Sequence, residues 1–295
     1  MLLRIRHLIE YALFRAGWLL LKLIPAEKAY DFGLWLGRIG ARLLPGRKAI
    51  AIGNILSAGI TQDPAEAERI AVYSIGHFIG HILETIRAGD RIADNWRNHV
   101  TIDMPEETWR MVSSCEEPIM IVTGHLGVWE IAVPVISTFR TMIAIAQVMH
   151  NPYVNRFMSE THFRGHITVI EKNNGITPDV MRKWERERSA LTIVMDQRPG
   201  GKSGVKLPFL GRETLMFSSP ARFHLRNAYP MVLGGFVREG LFRYRMCAGE
   251  VIRYRATGDK EADIRELTRK LTVALEQVIV RYPEQYLWMH NRWKD

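Results

Sequence analysis

From residue 118 onward, short apolar runs alternate with polar, helix-like stretches, and no other feature of the chain restricts its fold as strongly. The runs are PIMIVT, TMIAIAQV, ITVI, LTIVMD and MVLGGFV. Apolar runs of this length, lacking a polar residue at every second place, describe strands buried on both faces, as in parallel sheets covered by helices. Candidate helices lie between them near 128–139, 152–163, 176–188 and 218–227. The expected class is therefore α/β, with a mostly parallel central sheet flanked by helices. A last helix, about 261–281, places Ile264, Leu267, Leu271, Ala274, Leu275 and Val278 on one face and is expected to cover the sheet.

Upstream, the first hundred or so residues read as helical. Ile75, Phe78, Ile79, Ile82, Leu83 and Ile86 follow helical spacing within a helix expected from about Pro64 to Ala88. The N-terminal stretch MLLRIRHLIEYALFRAGWLLLKLIP mixes basic and large apolar residues and lacks the small-residue cleavage site of a secretory signal. Glu10, Arg15 and Lys22 interrupt it, whereas a spanning helix wants ~20 nearly uninterrupted apolar residues. The expectation is an interfacial, membrane-associating helix over residues 1–24, followed by a single domain over 25–295. A helix packed on the protein's own core, or a tilted span, are the alternatives. There is no internal repeat, low-complexity tract or Ser/Pro-rich linker to suggest a further division.

Charge and cysteine content narrow the partners. Forty Lys and Arg against 31 Asp and Glu give a net charge of +9, which suits an anionic lipid surface, an acidic protein or nucleic acid. Cys115 and Cys247 stand far apart without a CxxC partner, so neither a disulfide framework nor a cysteine zinc site is expected, and a reducing compartment fits.

In α/β sheets, chemistry gathers outside the carboxyl ends of strands, where loops converge. Two such ends stand out here, IVTGHLGVWE and IVMDQRPGGKSG. A histidine followed five residues later by an acid occurs three times, as His125–Glu130, His166–Glu171 and His290–Asp295. The second pair flanks an apolar run whose strand periodicity would put its side chains on opposite faces, and the third sits at the chain terminus. Only His125–Glu130 lies at a strand end between glycines, Gly124 and Gly127, which free the backbone to turn. On an unbroken helix the two side chains would diverge by about 140°. Across a loop-to-helix junction Glu130 can point back at the imidazole, fix its tautomer and stabilise the imidazolium. The plain alternative is a loop histidine with a structural hydrogen bond.

TGHLGVWE resembles the His-X4-acid motif of the lysophospholipid and lipid A acyltransferase superfamily, in the form found in the late (secondary) lipid A acyltransferases. The segments NPYVNRFMSETHFRGH, DQRPGGKSGVKLPFLGRETLMFSSPARF and PEQYLWMHNRWK are similar to further blocks of that family, in the same order. The likeness covers most of residues 118–295. Val128 stands where many members carry Asn, and Arg198 replaces an acid that often follows Asp-Gln. Relatives that acylate phosphatidylinositol mannosides share the architecture, and a lysophospholipid is a further alternative acceptor.

The resemblance implies O-acyl transfer from an acyl thioester, acyl carrier protein more than coenzyme A, to a membrane glycolipid such as a lipid A precursor. It implies His125 and Glu130 as catalytic residues, with Arg164, Asp196, Gln197 and Arg198 on the substrate. It also implies residence at the cytoplasmic face of a bacterial inner membrane. The residues agree: a neutral histidine can deprotonate an attacking hydroxyl without any enzyme nucleophile, and no G-x-S-x-G is present. Asp196 could orient His125 or a headgroup, or be a structural Asp. GGKSG lacks the first glycine of a P-loop, so no nucleotide is expected there, though Arg198, Lys202 and Lys206 could contact lipid phosphates. No cofactor and no metal are expected, because His77 and His81 with Glu84 nearby lack the glutamate of a zincin. The non-enzymatic alternative, a basic membrane or nucleic-acid binder with the aromatic end YLWMHNRW, predicts steep salt dependence and no turnover; nucleic acid is not the expected partner.

Overall fold

The computed structural model describes residues 2–146, 148–162, 167–171, 176–199 and 204–293. The helical N-terminal third consists of α1 (Leu2–Leu21), α2 (Ala26–Leu43), α3 (Pro45–Ser57) and α4 (Pro64–Asp94). Asp63 caps α4 by accepting from the Ala65 N–H, and Pro64 occupies the first turn, where no amide donor is needed.

Of the apolar face expected of α4, Ile75 and Leu83 are buried, but the buried stripe also takes in small and polar residues. Ser74, Gly76, His77, Gly80, His81, Glu84 and Thr85 are buried, while Phe78, Ile79, Ile82 and Ile86 are half-buried. The reason is α2, which crosses so closely that a Cβ on Gly37 would lie 2.1 Å from the Gly76 Cα, and one on Gly33 2.2 Å from the Gly80 Cα. Gly37→Leu is expected to force the helices apart and cost about 3 kcal/mol or more, read by denaturant unfolding. A variant as stable as the parent would show that this crossing does not limit the fold.

Beyond α4 the chain builds a sheet of seven strands among the described residues. These are β1 (Val100–Asp103), β2 (Ile119–Thr123), β3 (Met142–Ala146), β4 (Ile167–Glu171), β5 (Ala190–Val194), β8 (Met231–Gly240) and β9 (Arg243–Ala248). They lie in the order β1-β9-β8-β2-β5-β3-β4, and every neighbouring pair is parallel except β8 and β9. The five apolar runs read from the sequence are β2, β3, β4, β5 and β8. Missing from that reading were β1, β9, and the antiparallel hairpin of β6 (Gly204–Phe209) and β7 (Arg212–Phe217). Their alternating sequences, such as VKLPF and RETLMF, carry less apolar density than a buried parallel strand. The intervening helices are α5 (Glu106–Ser113), α6 (Trp129–Ser137), α7 (Pro152–His162), α8 (Pro178–Glu187) and α9 (Ser219–Asn227), and α10 (Lys260–Arg281) closes the fold.

Strand periodicity divides the core between the two faces of the sheet. Met120, Val122, Leu191 and Ile193 pack with Leu267, Leu271 and Leu275 of α10, as the helix's apolar face predicts. On the opposite face Ile119, Ala190 and Val232 pack with Ile131, Val135 and Ile136 of α6 and Ile92 of α4.

Helix α1 docks one face on α7. Trp18 and Phe14 meet the Phe157 ring at 5.2 and 5.8 Å, and Asn151 donates to the His7 carbonyl at 2.8 Å. Its remaining surface exposes Leu3, Ile5, Leu8, Ile9, Leu13, Leu19 and Leu20. No helix among the described residues is long and apolar enough to cross a membrane.

Candidate active site

The two strand ends singled out in the sequence are neighbours. β2 and β5 pair in parallel with Thr123 opposite Val194, so His125 and Asp196 each lie two residues beyond a matched pair. The same register continues into the loops. Asp196 Oδ1 accepts from His125 Nδ1 at 2.8 Å, and Oδ2 accepts from the His125 backbone N–H at 2.9 Å. Because the carboxylate can only accept, Nδ1 carries the proton and Nε2 is left with the lone pair. The side-chain amide of Gln197 reaches Nε2 at 3.3 Å. Asp196 is 3% exposed. Burial by itself would raise its pKa, but the His125 ring and the hydrogen bonds from it outweigh that and hold the carboxyl below the ordinary range.

Glu130 occupies the first turn of α6, as the loop-to-helix junction required, and the hydrogen bond at His125 Nδ1 goes to Asp196, one of the two readings the sequence left for that carboxylate. An imidazole nitrogen offers one in-plane hydrogen bond, and the register of β2 and β5 delivers Asp196 to it. Glu130 instead accepts from Trp129 Nε1 at 3.1 Å, and the Trp129 ring meets His125 edge-on at 5.4 Å.

Below His125 and Glu130 opens a cavity of about 320 Å³. Its floor is one face of the sheet: Ile121 and Thr123, Thr192 and Val194, Met142 and Ala144, and Val232 and Gly234, each pair two residues apart. Val133 and Ile136 of α6 line it from the helix side. Counting in twos from Ile121 and Thr192 reaches His125 and Asp196, which explains why the base stands over an apolar floor. Cys247 also lines the cavity, but burial raises its thiol pKa and the thiol donates to the Gly235 carbonyl at 3.5 Å, so it is held neutral.

The loop carrying His125 is fixed by four contacts from three separate parts of the chain. Val128 N–H donates to the Phe236 carbonyl at 2.6 Å, and Gly127 N–H to the Gln285 carbonyl at 2.9 Å. Leu287 N–H donates to the His125 carbonyl at 3.1 Å, and the fourth contact is with His77. Gly127 has φ +69°, and a Cβ there would stand 2.1 Å from the Phe236 carbonyl oxygen, so both backbone and space require glycine.

His77 is the functional neighbour that sequence reasoning missed. Its Nε2–H donates to the Gly127 carbonyl at 2.9 Å, which leaves Nδ1 to accept from the Tyr30 hydroxyl at 2.7 Å. Burial pushes its pKa down to about 4, so this arrangement persists at neutral pH. Glu84, on the same helix, is paired with Arg238 at 3.0 Å. The only sequence signal was two histidines on a helix face, which metal binding and hydrogen bonding share. His77→Ala should leave the Gly127 carbonyl and Tyr30 hydroxyl unsatisfied, costing roughly 1–3 kcal/mol each. It should also lower turnover at least about tenfold, with His77→Gln restoring most of it by donating again to Gly127. A folded His77→Ala protein with parental turnover would show that the loop holds without this clamp.

The aromatic C-terminal end is not a surface patch. Trp288 and Trp293 are 1% and 9% exposed, and Asn54 Nδ2 donates to the carbonyls of Trp288 and His290 at 2.8 and 3.0 Å. The segment backs the His125 loop, and its two tryptophan rings are turned into the fold. Arg198 is exposed one residue past Gln197. Lys206 is exposed on β6 and lies 3.9 Å from Glu213. Arg164, His166, Lys202 and Asp295 lie outside the described residues.

A histidine hydrogen-bonded to a buried carboxylate thus stands over an apolar cavity at the carboxyl edge of the parallel strands. The chain belongs to the bacterial lipid A biosynthesis acyltransferases, whose family model matches residues 2–295. Among solved structures it is similar to the 1-acyl-sn-glycerophosphate acyltransferase of Thermotoga maritima, at 10% identity over 83% of this chain and 95% of that one, with a TM-score of 0.36. A search of curated proteins returns no significant match.

Proposed function

We infer that this acyltransferase moves a fatty acyl group from an acyl thioester, carried by acyl carrier protein, to a hydroxyl of a lipid A precursor. The observation that carries this reading is the position of His125 Nε2, set by Asp196, at the mouth of an apolar cavity suited to an aliphatic chain. The acceptor hydroxyl takes the place of the Gln197 amide at Nε2 and gives up its proton there as its oxygen attacks the thioester carbonyl. The tetrahedral intermediate collapses by breaking the C–S bond, and the thiol leaves with a proton returned by the imidazolium. Asp196, and Glu130 on the cavity wall, supply the negative charge that favours the imidazolium. Arg164 is assigned to the developing oxyanion or the acceptor phosphate, where a permanent positive charge is useful. Arg198 is assigned to a headgroup phosphate. No cofactor enters this scheme.

The reaction is tested by incubating the purified protein with labelled acyl-acyl carrier protein or acyl-coenzyme A, offering a lipid A precursor, a phosphatidylinositol mannoside or lysophosphatidic acid, and identifying products by mass spectrometry. Acylation of the lipid A precursor from the carrier protein is expected. Acylation of only one of the other acceptors would overturn the acceptor assignment, and equal use of coenzyme A would overturn the donor assignment.

A further inference from the structure

From Phe32 to Gln62 the chain contains no acidic residue, although about one residue in ten is acidic overall, and it carries Arg38, Arg42, Arg47 and Lys48. This stretch holds most of α2 and all of α3. The glycine face of α2 is locked against α4, which leaves the opposite face outward. There Trp35, 51% exposed and stacked on Phe32 at 5.4 Å, shares a stripe with exposed Arg38 and Arg42. At the turn into α3, Leu43 and Leu44 are 73% and 58% exposed. Two adjacent leucines and a tryptophan facing water, in a stretch that carries Arg38, Arg42 and Arg47 and whose nearest acid on that face is Asp31, one turn before Trp35, match the chemistry of an anionic lipid interface.

The corner is also linked to the candidate site. Arg47 donates to the Met289 carbonyl at 3.4 Å, and Asn54 of α3 holds Trp288 and His290. That same segment supplies the Leu287 N–H to the His125 carbonyl.

We propose that the α2–α3 corner is a membrane-docking element separate from α1, inserting Trp35, Leu43 and Leu44 among the lipids of an anionic bilayer while Arg38, Arg42 and Arg47 contact their phosphates. This rests on the reading that the enzyme works on a membrane lipid. Docking here fastens to the bilayer the part of the fold that braces the catalytic loop, whereas α1 reaches the body through α7.

The test is flotation of the full chain with vesicles of equal parts phosphatidylglycerol and phosphatidylethanolamine, and with phosphatidylcholine vesicles, in the absence of acyl donor. Leu43→Glu/Leu44→Glu should weaken binding to the anionic vesicles by about tenfold or more, with α1 intact and circular dichroism unchanged. Arg38→Gln/Arg42→Gln should weaken binding to anionic vesicles and leave the phosphatidylcholine result unchanged. Parental affinity in the double-Glu variant would overturn the proposal. So would a concentration-dependent dimer of the parent that the double-Glu variant loses while keeping its vesicle affinity, since the patch would then belong to a second copy. Because the readout is binding alone, failure of acyl transfer would count against the proposed reaction and not against this surface.

Discussion

His125→Ala is expected to lower acyl transfer by about 10²–10⁴, the usual contribution of a positioned general base. The fold should survive. The side chain is 22% exposed over a cavity, and the backbone bonds of residue 125 to Asp196 and Leu287 do not need the ring. The structural cost is that of leaving one Asp196 oxygen with a missing donor, roughly 1–3 kcal/mol. Transfer of a labelled acyl group at saturating donor, with circular dichroism on each variant, makes the measurement. More than about a tenth of parental turnover in a folded His125→Ala protein would remove His125 from the role of base.

Asp196→Asn is expected to be nearly as damaging, by about 10²–10⁴, although it changes one atom. Asp196 accepts two hydrogen bonds from His125, one at the backbone and one at Nδ1, and an amide has only one accepting oxygen. If the oxygen keeps the backbone N–H, the amide nitrogen faces Nδ1 and favours the tautomer with its proton on Nε2, which cannot act as a base. The corresponding change in the Ser-His-Asp triad costs about 10⁴ in turnover for this reason. Glu130→Gln should cost less, because it removes charge without reversing the tautomer. The opposite ranking would return the orienting role to Glu130. Stability supplies an independent readout. The Asp196 carboxyl lies below its unfolded value of 3.8, so its contribution is fully present above that pH and is lost as pH falls through the folded pKa. The stability difference between parent and Asp196→Asn, measured by denaturant unfolding, should therefore shrink on acidification below about pH 4.

Much of this site is legible in the sequence. The five apolar runs are strands, the junction after β2 is a loop followed by a helix with Glu130 in its first turn, and both reactive strand ends were identified. Reading failed where a residue's partner came from a distant part of the chain. Asp196 was recognised as standing at a strand mouth, but five-residue spacing favoured Glu130 because spacing measures only what is near in sequence. His77 and His81 were set aside as lacking a zincin's glutamate and given no other role, because helical spacing shows which side chains share a face and not what that face meets. The non-enzymatic alternative took the C-terminal tryptophans as surface aromatics, because composition does not register burial.

What the sequence by itself determined is the local grammar: buried parallel strands, the glycine-flanked turn at His125, the acid-free basic stretch around α2 and α3, and the order of the family's blocks. These follow from side-chain periodicity and backbone preference, which act over a few residues. Tertiary structure alone decided which carboxylate orients the histidine, because that depends on the register of β2 against β5, strands separated by about seventy residues. It also placed the apolar cavity under the base, since a cavity exists only where sheet and helix approach without filling the space between them. The same is true of the glycine crossing of α2 and α4, where the approach of two backbones sets His77 against the Gly127 carbonyl.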